Sequence, residues 1–124
     1  MTIRRLELLQ WFGFLFGGVT WFAVFVAGAG VGVAACNPAG ARWGIPYDPV
    51  QIGLLAFAVL AIASAEAAAV LVFRETRRAE DEDPPPAGRM RLFAIGAMVG
   101  NVLFLVIIVL SVVAAVVNRT CHQA

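Results

Sequence analysis

The sequence predicts an all-α protein, a bundle of three transmembrane helices with a cytoplasmic N-terminus and an extracytoplasmic C-terminus. Three observations predict this fold. Of the 124 residues, 61% are hydrophobic, which exceeds what a soluble domain of this size usually contains. The apolar residues form three long blocks, and the arginines concentrate on one side of them.

The three blocks lie at about 11–35, 50–73 and 92–117. Each is long enough to cross a hydrocarbon core of about 30 Å as a helix. The outer loop 36–49 and the inner loop 74–91 are short, so the chain is expected to alternate up, down and up. We therefore predict one membrane domain over residues 1–124, with the lipid bilayer as its first partner.

The arginines set the orientation, because cytoplasmic segments of membrane proteins are enriched in basic residues. Arg4 and Arg5 precede the first block, and five more arginines lie in the inner loop 74–91. Only Arg42 and Arg119 fall on the other side. This pattern predicts a multi-pass protein of the cytoplasmic membrane, and the Ala, Gly and Arg bias without lysine indicates a bacterial chain. The same pattern gives no basic patch for nucleic acid.

The first block begins at Trp11, a residue type that favours the membrane interface. Its glycines include the pairs Gly13/Gly17 and Gly28/Gly32, a spacing that lets another helix backbone approach closely. The block ends at residues 33–36, Val-Ala-Ala-Cys, which also resembles the cleavage site of a bacterial lipoprotein. A span longer than the apolar core of a signal peptide favours an uncut helix, with cleavage and lipidation of Cys36 as the alternative.

The second block starts after Asp48 and Pro49, a capping carboxylate followed by proline at the first helical position. We expect this alanine-rich helix to continue past Phe73 through the charged stretch RETRRAEDED, until the prolines at 84–86 end it. The third block carries a further Gly-x-x-x-Gly pair, Gly96/Gly100, followed by a β-branched run.

Glu66 is the only ionisable side chain within the blocks, and an acid in hydrocarbon costs about 2.5 kcal/mol or more near the centre. Counting residues from the predicted cytoplasmic ends places Thr20, Glu66 and Asn101 in one layer. We predict that these three side chains meet in a polar cluster.

Three interpretations of Glu66 stay open at this point. In the first, Glu66 is a clasp that holds the helices together through hydrogen bonds. In the second, it is a proton relay or a contact with a cofactor-bearing partner. In the third, its side chain extends to the inner interface, towards Arg74 or Arg77.

Cys36 and Cys121 both fall on the predicted outer side, where disulfides form. We predict a disulfide between them that joins the first helix to the third. The alternative is a Cu(I) site made by Cys36, Cys121 and His122, because Cu(I) prefers soft ligands. The sequence otherwise offers no metal ligands, no cofactor site and no catalytic constellation, so we do not expect an enzyme.

Several strings make the whole chain resemble a family of small three-span bacterial membrane proteins that accompany haem-copper oxidase components. They are LELLQWFG, AACNPAGARWGIP, AEAAAVLVFRETR, DPPPAGR and NVLFLVII, together with the Cys-His-Gln tail. The resemblance carries over no functional residues. It implies a setting, that of an accessory or assembly protein of a respiratory oxidase.

The leading functional hypothesis is a non-catalytic accessory subunit or assembly factor of a bacterial membrane complex. Its Gly/Ala helix faces would pack on larger membrane subunits or on further copies of the chain. One alternative is a homo-oligomeric channel or proton-conducting pore that uses Glu66. The other is an extracytoplasmic copper-handling protein that uses Cys36, Cys121 and His122.

Overall fold

The computed structural model describes residues 1–36, 47–78 and 85–117. These residues form three helices, α1 (Ile3–Ala35), α2 (Tyr47–Thr76) and α3 (Ala87–Val117). Each helix is long and apolar enough to cross a membrane. These helices confirm the prediction of an all-α protein with three helices. Lipid favours this fold because a helix satisfies its own backbone hydrogen bonds.

The helices extend beyond the predicted spans. The first begins at Ile3 rather than near Trp11, so the predicted lead-in is helical. The second begins at Tyr47, which places Asp48 inside the first turn, where its carboxylate favours the positive end of the helix dipole. It ends at Thr76 and is followed by a turn at 77–78, earlier than the charged stretch suggested. Residues 79–84 lie outside the described part of the chain.

Helices α1 and α2 run antiparallel along most of their length. Gly13, in the first half of α1, lies against Ala65 and Ala69 in the second half of α2. Gly32, near the end of α1, lies beside Tyr47, the first residue of α2. The first half of each helix therefore lies beside the second half of the other, which is the arrangement that a short connection requires.

Helices α1 and α3 run parallel, and aromatic side chains mark their register. The ring of Trp11 lies 5.9 Å from that of Phe93, and Trp21 stacks on Phe104 at 5.5 Å. The chain consequently alternates up, down and up. We call the end that holds the start of α1 the N-terminal end and the opposite one the distal end; the arginine distribution predicts that the N-terminal end faces the cytoplasm.

Two clusters of buried apolar side chains lie in the bundle, one towards each end. The one at the N-terminal end contains Val72, Met90 and Ala94, and the distal one contains Val24, Ala58, Ile62 and Ile108. Most other large apolar side chains face outward, including Phe22, Leu60, Leu103 and Leu110. An apolar outer surface of this extent is what a lipid-embedded bundle presents.

Candidate functional site

Helices α1 and α2 approach each other closely at Gly13, between the two apolar clusters. A Cβ atom added to Gly13 would lie 3.0 Å from the backbone nitrogen of Ala69 and 3.1 Å from the backbone oxygen of Ala65. The main chains of α1 and α2 thus touch, because neither helix has a large side chain here. The Gly13/Gly17 pair is the close-packing site that its spacing predicts.

The side chain of Asn101 fastens α3 to the same point of α1. It is 1% exposed, and its Nδ2 atom donates a hydrogen bond to the backbone oxygen of Gly13 at 3.1 Å. Its Oδ1 atom occupies the space that a side chain at Gly17 would need. The two glycines therefore have different roles. Gly13 allows contact with the α2 backbone, and Gly17 leaves room for the Asn101 amide.

Glu66 reaches this junction from α2, and its carboxyl lies beside the Asn101 side chain. The Oε2 atom of Glu66 is buried and has no hydrogen-bond partner. The structure thus brings together two of the three predicted polar residues, and the carboxyl faces protein rather than lipid. The Asn101 amide thus bonds Gly13 on α1 and lies beside Glu66 on α2.

Thr20 is buried on the same face of α1 as Gly17, but within the described residues its hydroxyl makes no hydrogen bond to Glu66 or Asn101. Thr20 lies apart from Glu66 because the predicted block ends at Phe73 and Trp11 are not at the same depth in the bundle. Phe73 on α2 packs against the same apolar cluster as Leu6 and Leu9 on α1, so it lies about one turn closer to the N-terminal end than Trp11 does. Counting depth from Phe73 and Trp11 as if they were level therefore places Thr20 too near Glu66.

Gln10 is a buried polar residue that the sequence reasoning missed. It is 3% exposed, and its Oε1 atom has no hydrogen-bond partner. The buried face of α1 consists of Gln10, Gly13, Gly17, Thr20 and Val24. That spacing of three and four residues is the signal that could have identified Gln10, which lies one helical turn from Gly13.

The predicted extension of Glu66 towards the interface is not observed. Arg74 and Arg77 are exposed, and no ion pair joins either to Glu66 among residues 1–36, 47–78 and 85–117. An ion pair in that part of the chain links Glu7 on α1 to Arg89 on α3 at 3.8 Å. Both side chains are about half exposed, so the pair is worth little.

The cysteine predictions fall largely outside the described residues. Cys36 caps the end of α1, where its backbone N–H donates to the Gly32 oxygen at 3.0 Å. Cys121 and His122 are not described, so both the disulfide and the copper alternative stay predictions. Within the described residues, no group of three or more His, Cys, Asp or Glu side chains could hold a metal ion.

A groove of about 430 Å³ runs along the outside of the α1–α3 interface, beside the junction. Its small residues include Gly18, Gly96 and Gly100, and Phe14 and Phe104 are among the larger side chains that border it. Asn101 also lines it. A Cβ atom added to Gly100 would meet nothing within 4 Å, so the chain leaves this space unfilled.

The fold and the junction define a three-helix membrane bundle in which a buried amide and a carboxyl connect small-residue faces. No family model, no curated protein and no solved structure matches the chain. These comparisons therefore add no activity, ligand or partner, and none of them links the chain to haem-copper oxidases.

Proposed function

We propose that the protein is a non-catalytic accessory subunit or assembly factor of a larger membrane complex. The observation that carries this proposal is the glycine-lined groove between α1 and α3, which the bundle itself does not fill. The buried junction beneath it serves as a structural clasp, because the Asn101 amide bonds α1 and lies beside the Glu66 carboxyl of α2 inside the bundle.

The groove suits a transmembrane helix of a partner protein. Glycine inside a helix costs roughly 0.5–1 kcal/mol relative to alanine in soluble proteins. Gly13 and Gly17 offset that cost with contacts inside the bundle, whereas Gly100 makes no such contact. A helix lying along Gly96 and Gly100 would approach the α3 backbone closely, as small-residue interfaces in membranes do.

The best specific candidate for the partner is a respiratory haem-copper oxidase of the bacterial cytoplasmic membrane. This choice rests on the resemblance of the sequence strings to proteins that accompany such oxidases. In that setting the chain supplies helix surface to the complex and no cofactor of its own. A Cys36–Cys121 disulfide would hold the ends of α1 and α3 together on the outer face.

The geometry favours the clasp over a pore built from several copies. A homo-oligomeric pore would need the Glu66 carboxyl to face a central axis between copies. The carboxyl instead lies beside Asn101 of its own chain, and its Oε2 atom is buried. No described residue adds support to the copper-handling alternative, which depends on Cys121 and His122.

The proposal is tested by extracting the tagged chain from its native membrane in mild detergent and identifying its companions by mass spectrometry. Larger membrane-protein chains in a fixed ratio support an accessory subunit, and oxidase chains among them support the specific candidate. Recovery of this chain alone, as a defined oligomer, overturns the proposal. The intact mass in the same run tests the disulfide, which removes two hydrogens, and lipidation at Cys36, which leaves a truncated chain.

A further inference from the structure

A second cavity lies in the distal half of the bundle, where all three helices contribute to its wall. Its volume is about 260 Å³. Its lining includes Trp21 and Gly28 from α1, Gln51 and Leu55 from α2, and Ile108 and Ser111 from α3. The cavity is only partly enclosed by protein, so molecules in the surrounding leaflet can reach it.

One end of this cavity is polar. The Oε1 atom of Gln51 is buried and has no hydrogen-bond partner. Gly28 faces it, and a Cβ atom there would lie 3.3 Å from the amide, so glycine leaves room for the Gln51 side chain. The Ser111 hydroxyl donates to the Ile107 oxygen at 2.8 Å, which leaves its own oxygen able to accept.

The other end is apolar. Ile108 belongs to the distal apolar cluster, and Leu55 packs against that cluster. Trp21 stacks on both Phe25 and Phe104, so its ring is held in place at the wall. Because Gln51 lies near the start of α2, the polar end points towards the membrane surface and the apolar end towards the membrane centre.

We propose that this cavity binds the head of an alkyl-chain amphiphile whose hydroxyl donates a hydrogen bond to the Oε1 atom of Gln51. A buried acceptor without a donor is costly, and an alkyl chain alone would fill the space without satisfying it. The cavity also far exceeds the ~30 Å³ that one water molecule occupies in the liquid. The polar and apolar ends match a hydroxyl head followed by a chain.

Two sources share this chemistry, the glycerol headgroup of a membrane lipid and a free long-chain alcohol. Both enter from the leaflet that contains the distal half of the bundle. The inference is independent of the α1–α3 groove and of the partner proposed above, because it rests on different residues and on a lipid-sized ligand.

Trp21 provides a local reporter for the test. The full chain carrying W11F and W43F keeps Trp21 as its single tryptophan and is reconstituted into phosphatidylcholine vesicles. It is titrated with a bromine-labelled long-chain alcohol, which quenches tryptophan fluorescence on contact, and with the methyl ether of that alcohol, which has no donor. We expect saturable quenching by the alcohol, and roughly threefold to tenfold weaker binding of the ether, the range one hydrogen bond gives.

Gln51→Leu in the same background should make the alcohol bind as weakly as the ether. Gly53→Ala is the matched control on α2, because a Cβ atom there meets nothing within 4 Å, and it should leave the titration unchanged. Helix content and the Trp21 emission maximum verify that each variant folds. Equal, unsaturable quenching by alcohol and ether overturns the inference, as does unchanged alcohol binding in folded Gln51→Leu.

The two sources are separated by repeating the alcohol titration in vesicles that contain phosphatidylglycerol. A shift of the titration to higher alcohol concentration identifies the glycerol headgroup as a competing occupant. An unchanged titration identifies the free alcohol as the preferred one. Both results support the cavity as a hydroxyl-amphiphile site and differ only in what fills it in the membrane.

Discussion

The Asn101 side chain donates a hydrogen bond to the backbone oxygen of Gly13, 3.1 Å away across the α1–α3 interface. The same side chain lies beside the carboxyl of Glu66 on α2. One amide therefore lies between three helices, at the level where Gly13 of α1 meets the α2 backbone. This relationship explains why a glycine, an asparagine and an acid occur in otherwise apolar spans.

Gly17→Ala should destabilise the bundle by about 1–3 kcal/mol, as overpacking does in a tight interior. The new Cβ atom would fall on the Oδ1 atom of Asn101, so the amide must rotate away from Gly13 and Glu66. The free energy of unfolding is measured by titrating the micellar protein with a denaturing detergent. Gly30→Ala is the control, since a Cβ atom there meets nothing within 4 Å; equal losses in both variants would contradict the account.

Asn101→Leu should cost about 1 kcal/mol, in the range of interhelical hydrogen bonds in membranes. Glu66→Gln should cost less, because an amide still bonds Asn101. A double-mutant cycle of Asn101→Leu with Glu66→Leu then measures the coupling, which we expect at about 0.5–1.5 kcal/mol. Additive effects, with no coupling, would show that the two side chains do not act together.

Glu7→Gln should change the free energy of unfolding by less than about 0.5 kcal/mol. The two side chains of the Glu7–Arg89 pair are 44% and 53% exposed, so water and salt screen them. The same detergent titration measures the effect. A loss well above 1 kcal/mol that persists at high salt would contradict this and would mean that the pair is shielded from water.

The number and type of helices followed from the sequence because lipid leaves few alternatives. An apolar block of this length must satisfy its own backbone hydrogen bonds, so three blocks predict three helices. The junction was only partly predictable. Glu66 and Asn101 stand out as polar residues in apolar blocks, but their level relative to Thr20 depends on how the helices are staggered, which block ends do not reveal.

The glycine spacing alone also did not show which of the three Gly-x-x-x-Gly pairs packs against another helix of the bundle. Gly13 touches the α2 backbone, whereas Gly96 meets only the edge of Phe14 at 3.9 Å and Gly100 meets nothing. Which glycine face turns inward depends on the rotation of each helix about its axis. Gln51 and its cavity were missed for a similar reason, because a glutamine one turn inside a helix becomes informative only once Gly28 is seen opposite it.

The orientation prediction is tested with reporters that are active on one side of the membrane only. Alkaline phosphatase fused after residue 124 should be active, because the positions of seven of the nine arginines predict that the inner loop and N-terminus face the cytoplasm. A fluorescent protein fused at the N-terminus should be folded and bright. Exchanging Arg77 and Arg78 for glutamine should lower the fraction in this orientation; an inactive C-terminal fusion would reverse the assignment.

The most direct test of an accessory role compares how Gly100→Leu and Gly53→Leu affect recovery of partner chains from the native membrane. Neither glycine has a neighbour within 4 Å of an added Cβ atom, and only Gly100 lines the α1–α3 groove. Helix content and the size of the detergent-solubilised protein verify that both variants fold. We predict that the native chain and Gly53→Leu recover the same larger membrane proteins in a fixed ratio, and that Gly100→Leu loses them. Full recovery with folded Gly100→Leu, or a native chain that elutes only with copies of itself, would contradict the account.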